Sequence, residues 1–174
     1  MRHLWFGALA LSLAVCISGC NREPVCRGED SCVIDCGDDC EPVCEQFGAE
    51  CDASCGDRCD YVCEDGPNCK VACGADCDIQ CGSVSTCNAT CGERCLYTCE
   101  DANNCAPQVG DESRVECSRV GNCNPVCEGT CVVDCQNTGP CNVTCMADGM
   151  APIECADGTV ACGECLLPEP VSTE

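Results

Sequence analysis

Cysteines 51, 69, 87, 105, 123 and 141 follow one another at intervals of 18 residues without exception, and Cys32 precedes the series by 19. A fixed period of this length marks a chain built from stacked copies of one supersecondary unit, each touching only its neighbours. Numbered from its first cysteine, a repeat carries cysteine at positions 1, 5, 9 and 13, as in Cys69, Cys73, Cys77 and Cys81. Half a repeat comes first, because Glu23-Pro24-Val25-Cys26 echoes Glu41-Pro42-Val43-Cys44. The last repeat is irregular after Cys145 and ends in Cys155, Cys162 and Cys165, which reads as a terminal cap.

The residues between the cysteines decide which element carries the grid. A spacing of four puts cysteines on one face of a helix, but CGDDC, CGDRC, CGADC and CGERC each hold a glycine and other segments hold proline, which argues against helix. Period two fits instead. Position 3 reads Ile34, Ala53, Val71, Ala89, Pro107, Pro125 and Val143, and position 11 reads Pro42, Tyr61, Ile79, Tyr97, Val115 and Val133. Cysteine, apolar residue and cysteine therefore point to one side, with mostly polar residues opposite. The glycine at position 6 reads as a tight turn, and segments such as EDGPN and QNTGP as another. The expected fold is all-β: a parallel β-solenoid of about seven 18-residue coils stapled by disulfides, each coil rising about 4.8 Å. Position 8 reads Asp39, Arg58, Asp76, Arg94 and Glu112 in successive coils, so stacking predicts a ladder of alternating charge that helps hold register.

The first twenty residues, MRHLWFGALALSLAVCISGC, have the layout of an export signal: a basic start at Arg2 and His3, then an apolar run from Leu4 to Ile17. That run is too short for a comfortable membrane span. It ends in Ile17-Ser18-Gly19-Cys20, which resembles the bacterial lipobox; the resemblance implies cleavage before Cys20, lipidation of Cys20 and a membrane partner reached through lipid alone. Asn21 stands where an aspartate would resemble the inner-membrane retention signal of enteric bacteria, so the resemblance implies the outer membrane, facing periplasm or exterior. Residues 1–19 thus read as signal peptide, 20–25 as a lipidated tether, 26–165 as cysteine-rich solenoid and 166–174 as a flexible tail.

Thirty cysteines less Cys16 and Cys20 leave 28, an even number, as a disulfide framework in an exported protein requires. Past the signal the aromatics are Phe47, Tyr61 and Tyr97, so covalent links must replace much of an ordinary core. The repeat beginning at Cys105 keeps cysteines at positions 1 and 13 but has Val109 and Ser113 at positions 5 and 9. Their joint loss pairs position 5 with 9 inside a coil, and 13 with 1 of the next. Between coils the rule gives Cys26–Cys32, Cys44–Cys51, Cys63–Cys69, Cys81–Cys87, Cys99–Cys105, Cys117–Cys123, Cys135–Cys141 and Cys155–Cys162. Within coils it gives Cys36–Cys40, Cys55–Cys59, Cys73–Cys77, Cys91–Cys95 and Cys127–Cys131, leaving Cys145 and Cys165 for each other. Vertical pairing of stacked coils, such as Cys36 with Cys55, is the alternative, and it leaves Cys131 without a stacked partner. Closing loops this short contributes about 2 kcal/mol each.

Little else in the chain points to chemistry. Its one histidine, His3, lies in the signal, so the remainder has no Ser-His or Cys-His pair and no imidazole ligand. Thirty acidic residues against eight basic give a formal net charge of −22, which repels nucleic acid. Cys162-Gly-Glu-Cys165 has redox-motif spacing but no βαβ surroundings, and reads as part of the cap. As a disulfide-filled coil the chain resembles the small β-helical antifreeze proteins of insects, and more broadly the cysteine-rich repeat lipoproteins of Gram-negative bacteria. The first resemblance stops at architecture, because ice binding there uses Thr-x-Thr rows whereas Thr90 and Thr144 are isolated here. Parallel β-helices include polysaccharide-cleaving enzymes, but those carry loop insertions that build a cleft, and this chain has almost none. No catalytic residue, cofactor or metal ligand is expected. The expected function is a non-enzymatic, membrane-anchored envelope lipoprotein, a rigid acidic rod for structure or for contact with an envelope or surface protein. A thiolate metal-binding or sequestering protein is the alternative.

Overall fold

The computed structural model describes residues 15–16 and 24–165; the lipobox from Ile17 to Cys20 and the tail from 166 to 174 lie outside them. The chain winds as a two-sided parallel β-solenoid. Positions 1 to 5 of the coils form the first sheet, through Ser31–Asp35, Glu50–Ser54, Asn68–Ala72, Thr86–Cys91, Asn104–Val109, Val126–Cys127 and Thr144–Cys145. Positions near 10 to 14 form the second, through Val25–Arg27, Val43–Glu45, Asp60–Glu64, Asp78–Gly82, Leu96–Glu100, Ser113–Ser118 and Cys131–Gln136. Register follows the period: Cys69 pairs with Cys87, Cys87 with Cys105, Tyr61 with Ile79, and Ile79 with Tyr97. The one 19-residue interval keeps register because its extra residue falls between Cys44 and Cys51, in a corner rather than a strand. Val15–Cys16 adds a parallel edge strand to the first sheet, Cys16 opposite Ile34, from within the segment read as the signal.

Alternation buries the expected residues. In Asp60–Glu64 and Asn68–Ala72 the second and fourth positions are buried and those flanking them exposed or half-buried. Tyr61, Tyr97, Ile79 and Val115 at position 11 have no exposed surface. The Tyr97 hydroxyl, enclosed there, donates to the Cys87 carbonyl at 3.2 Å, and no buried side-chain nitrogen or oxygen among the described residues lacks a partner. A further column at position 16, not read from the sequence, closes the second corner with Phe47, Val84, Ala102 and Val120. Gly66 occupies the same column because a Cβ there would stand 2.1 Å from Phe47 Cζ, so the ring of one coil fills the space above the next.

In the five coils that begin at Cys32, Cys51, Cys69, Cys87 and Cys105 both corners turn through a left-handed residue. Position 8 holds Asp39, Arg58, Asp76, Arg94 and Glu112 at φ from 55 to 57°, and position 15 holds Gln46, Asp65, Ser83, Asp101, Arg119 and Asn137 at φ from 51 to 54°. Residues with a Cβ enter this region at some cost. Their backbone N–H groups then continue the ladder round the corner, as in Arg58 to the Ala75 carbonyl at 2.8 Å and Ser83 to the Glu100 carbonyl at 3.1 Å. The glycine at position 6 therefore has a different reason from the turn conformation expected of it. It lets successive corners approach: a Cβ on Gly92 would lie 2.9 Å from the Gly74 carbonyl oxygen, and one on Gly110 would lie 2.6 Å from that of Gly92.

The coil pattern stops after Cys145. Pro152–Glu154 and Val160–Cys162 form an antiparallel hairpin, and its second strand lies antiparallel on Cys131–Gln136 with Cys162 opposite Cys131. Reversing direction ends the parallel stack and covers the open edge of the second sheet.

Because the position 6 approach is backbone against backbone, Gly92→Ala is expected to destabilise the protein by about 1–3 kcal/mol. Gly82→Ala, whose Cβ would meet Glu64 Cγ at an ordinary 3.7 Å, is expected to be nearly neutral. Denaturant unfolding of the oxidised protein measures both, and equal losses would refute the close-approach account.

Candidate functional site

Sulfur is the chain's main resource for chemistry, and the structure does not use all of it in bridges. At the second corner seven coil-to-coil disulfides are present: Cys26–Cys32, Cys44–Cys51, Cys63–Cys69, Cys81–Cys87, Cys99–Cys105, Cys117–Cys123 and Cys135–Cys141. Cys91–Cys95 and Cys127–Cys131 are bonded within their coils. Two cap pairs differ from those expected. Cys155–Cys162 and Cys145–Cys165 are replaced by Cys145–Cys162 and Cys155–Cys165, each with Cα atoms 5.7 Å apart. The hairpin explains the exchange, since it swings buried Cys162 over the end of the last coil, where Cys145 waits.

The other difference falls at the first corner of the three N-terminal coils. Cys36–Cys40, Cys55–Cys59 and Cys73–Cys77 are not joined in the structure. Parallel stacking places position 5 of each coil beside position 5 of the next, so a sulfur there has a neighbour along the stack as well as one across the turn. Cys36 Sγ lies 3.5 Å from Cys55 Sγ, the vertical neighbour, in contact without a bond. Cys59 instead aims its thiol at the Gly37 carbonyl at 3.3 Å, and Cys77 at that of Gly56 at 3.5 Å.

The position 5 thiols of Cys36, Cys55 and Cys73 are half-exposed, while Cys40, Cys59 and Cys77 at position 9 are buried behind them. The thiols differ in acidity. A hydrogen bond from Cys73 draws Cys55 down to about 7, with burial opposing it and further thiol contacts from Cys36 and Cys59 assisting. Burial pushes Cys59 up to about 12 and raises Cys36 well above the ordinary thiol value. Cys73 is raised because it donates to Cys55 and Cys77. A hydrogen bond from Cys73 lowers Cys77 as well, so the corner is a column of communicating sulfurs in which Cys55 and Cys77 ionise more readily than an ordinary thiol.

Carboxylates and guanidinium groups edge the column. Arg58 grips Asp39 through two hydrogen bonds, 2.7 and 3.0 Å, and Arg94 grips Asp76 at 2.6 and 2.9 Å. Glu112 ends the expected alternation differently: its backbone N–H donates to Thr130 Oγ1 at 3.1 Å. A second pair not read from the sequence, Arg119 with Asp101 at 2.7 and 2.9 Å, stacks at position 15 of the other corner. The two outer faces also differ. The second sheet shows Asp60, Glu64, Asp78, Glu100, Glu116 and Asp134, whereas the first, from Thr86 onward, shows uncharged residues such as Asn88, Thr90, Asn104, Gln108, Asn122 and Asn124. Asn104 accepts from Asn122, and Asn124 from Asn142, each at 3.0 Å.

Two further groups, Cys123 with Cys135 and Cys141, and Cys127 with Cys131 and Cys162, bring three sulfurs within 4.8 Å of one another. Every one of those sulfurs is already in a disulfide and has no lone thiolate to offer. The chain matches no protein family, no curated protein and no solved structure.

Val109 and Ser113 are fully buried and stand in register with Cys91 and Cys127, and with Cys131. Val109→Cys with Ser113→Cys is therefore expected to add one bridge within that coil and leave the others unchanged by peptide mapping. For the charge column, the Arg58 hydrogen bonds hold Asp39 below the usual carboxylate range. A depressed value means that the pair stabilises the fold above that range and stops doing so as pH falls through the lowered value. In Arg58→Gln the Asp39 titration, followed by NMR, is expected to move up toward an ordinary aspartate; an unmoved titration would dismiss the ladder.

Proposed function

We propose that the protein is a non-enzymatic lipoprotein of the cell envelope, anchored through Cys20, whose solenoid is a rigid acidic rod for envelope structure or surface contact. The observation that carries this reading is continuity. From Ser31 to Cys145 every connection between strands is a corner of the coil, and backbone hydrogen bonds run through those corners as well as through the strands. A stack without inserted loops builds length instead of a cleft, and seven coils extend about 35 Å.

Bridges on the inside of the coils suit an oxidising compartment. They also suit exposure to proteases, because a short covalent loop limits the local opening that cleavage needs. The uncharged stretch of the first sheet is the side on which a chain of net charge −22 approaches an anionic envelope surface with least repulsion. The lipobox resemblance supplies the anchor, and the few residues between Cys20 and the strand that follows it at Val25 keep the rod close to its membrane.

Expression of the full gene in a bacterium that exports it is expected to place the protein in the membrane fraction, and Cys20→Ala to release it. Digestion should leave the rod intact until a reductant opens the bridges, after which it is degraded. Equal membrane partition of Cys20→Ala would defeat the anchor, and rapid proteolysis of the oxidised protein would defeat the rod.

A further inference from the structure

The chain holds two kinds of sulfur. The bridges of the second corner join buried cysteines such as Cys44 with Cys51 and Cys63 with Cys69, out of reach of a dissolved thiol or disulfide. Cys36 and Cys55 differ: each is partly exposed, neither is in a disulfide, and their Sγ atoms are in contact at 3.5 Å. We propose that Cys36 and Cys55 are a redox-active dithiol that closes to a coil-to-coil disulfide by exchange with a positively charged, disulfide-bearing co-reactant.

Backbone geometry is the first support. Asp35 stands in register with Ser54 just before the two cysteines. Ladder hydrogen bonds join the two coils on either side of the pair, from the Cys36 N–H to the Ser54 carbonyl at 2.8 Å and from the Gly56 N–H to the Gly37 carbonyl at 3.0 Å. The Cα atoms are thereby held near the spacing of neighbouring strands, about 4.8 Å, inside the range of about 4.4–6.8 Å that a disulfide spans. Closure needs side-chain rotation and no movement of the backbone. Access is the second support, since exchange requires a thiolate that the co-reactant can reach. Cys55, drawn down to about 7 chiefly by the hydrogen bond from Cys73, is half-exposed, whereas the other lowered thiol, Cys77, is buried. Charge is the third. Asp35 precedes Cys36, Asp38 and Asp39 follow it, and Asp57 follows Cys55, all exposed; Arg58, the only basic residue from 35 to 58, is taken up by Asp39. Such a surround concentrates cations and repels anions.

The Cys55 thiolate attacks one sulfur of the co-reactant's disulfide and expels the other half, leaving Cys55 in a mixed disulfide. Cys36 then gives up its proton and attacks the Cys55 sulfur, so the Cys36–Cys55 bond forms and the second half departs. The two cysteines lose two electrons and two protons in all, and the co-reactant's disulfide takes them up to become two thiols. An excess of thiol runs the same steps backward. The first corner keeps its path with thiols, with Cys91–Cys95 or with Val109 and Ser113, so the bridge opens and closes without disturbing the coils. The reaction is independent of the lipid anchor: Cys20→Ala is expected to exchange as the parent does.

The test uses the full chain purified from an oxidising periplasm and treated briefly with a thiol reductant in the absence of denaturant. Cystamine, a cationic disulfide, and oxidised glutathione, an anionic one, are then added separately at low ionic strength, with intact mass and peptide mapping as readouts. The product is expected to hold Cys36 bonded to Cys55 with no reagent retained. It is expected to form about tenfold faster with cystamine, an advantage that shrinks as salt is added. In Cys36→Ser, Cys55 is expected to keep one half of the cystamine as a mixed disulfide. If that variant does not fold, the bonding map of the parent chain decides. Mapping that finds Cys36–Cys40 and Cys55–Cys59 instead, no exchange by the folded parent, or glutathione as fast as cystamine at low salt would each overturn the proposal.

Discussion

The disulfide from position 13 of one coil to position 1 of the next is the contact on which the rest of the fold depends. It ties the second sheet to the first where each coil passes into its successor, with Cα atoms 6.2 to 6.5 Å apart in all seven cases. So close an approach leaves an interior one side chain deep from each sheet. Tyr61, Ile79, Tyr97 and Val115 then form a single file along one sheet, facing the smaller residues of position 3. A core this thin gains little from apolar burial. The bridges compensate by restricting the unfolded chain at regular intervals, while the parallel ladder spreads the register they set to every backbone group between them.

The two corners of the coil answer to different demands. The second is bridged in every coil and backed by the buried column of Phe47, Val84, Ala102 and Val120. The first tolerates a disulfide, a Val109 and Ser113 pair, or the thiols of Cys36, Cys55 and Cys73 without altering its path. In the coils that begin at Cys51, Cys69, Cys87 and Cys105 what holds it is backbone geometry: a left-handed residue at position 8 and a glycine at position 6, whose N–H donates to the glycine carbonyl of the previous coil, as Gly92 does to Gly74 at 2.8 Å.

Much of this architecture was legible because a parallel stack converts a sequence interval directly into a spatial neighbour. Cys51 to Cys141 at intervals of 18, the apolar residues at positions 3 and 11, and the alternation of Arg58 and Arg94 with Asp39 and Asp76 are each one-dimensional records of a vertical contact. The position 16 column was equally periodic but weaker, since Gly66 interrupts it, and only the Phe47 ring over that glycine shows why. Glycine at position 6 was visible and its purpose was not. Tight turns and tight approaches select the same residue, and the left-handed conformation falls two residues later, on Asp, Arg and Glu.

The sequence by itself determined the all-β class, the coil length, the inward columns and the coil-to-coil bridges, because each follows from local period and from pairs only six or seven residues apart. Tertiary structure alone decided the cap and the first corner. After Cys145 the period ends, so nothing in the spacing tells that the chain reverses into an antiparallel hairpin and carries Cys162 rather than Cys165 to Cys145. At the first corner a sulfur at position 5 faces position 9 of its own coil, four residues away in the chain, and position 5 of the adjacent coil, as Cys36 faces Cys55 at 3.5 Å. Choosing between them depends on side-chain rotation within the stacked corner, a quantity that spacing along the chain does not encode.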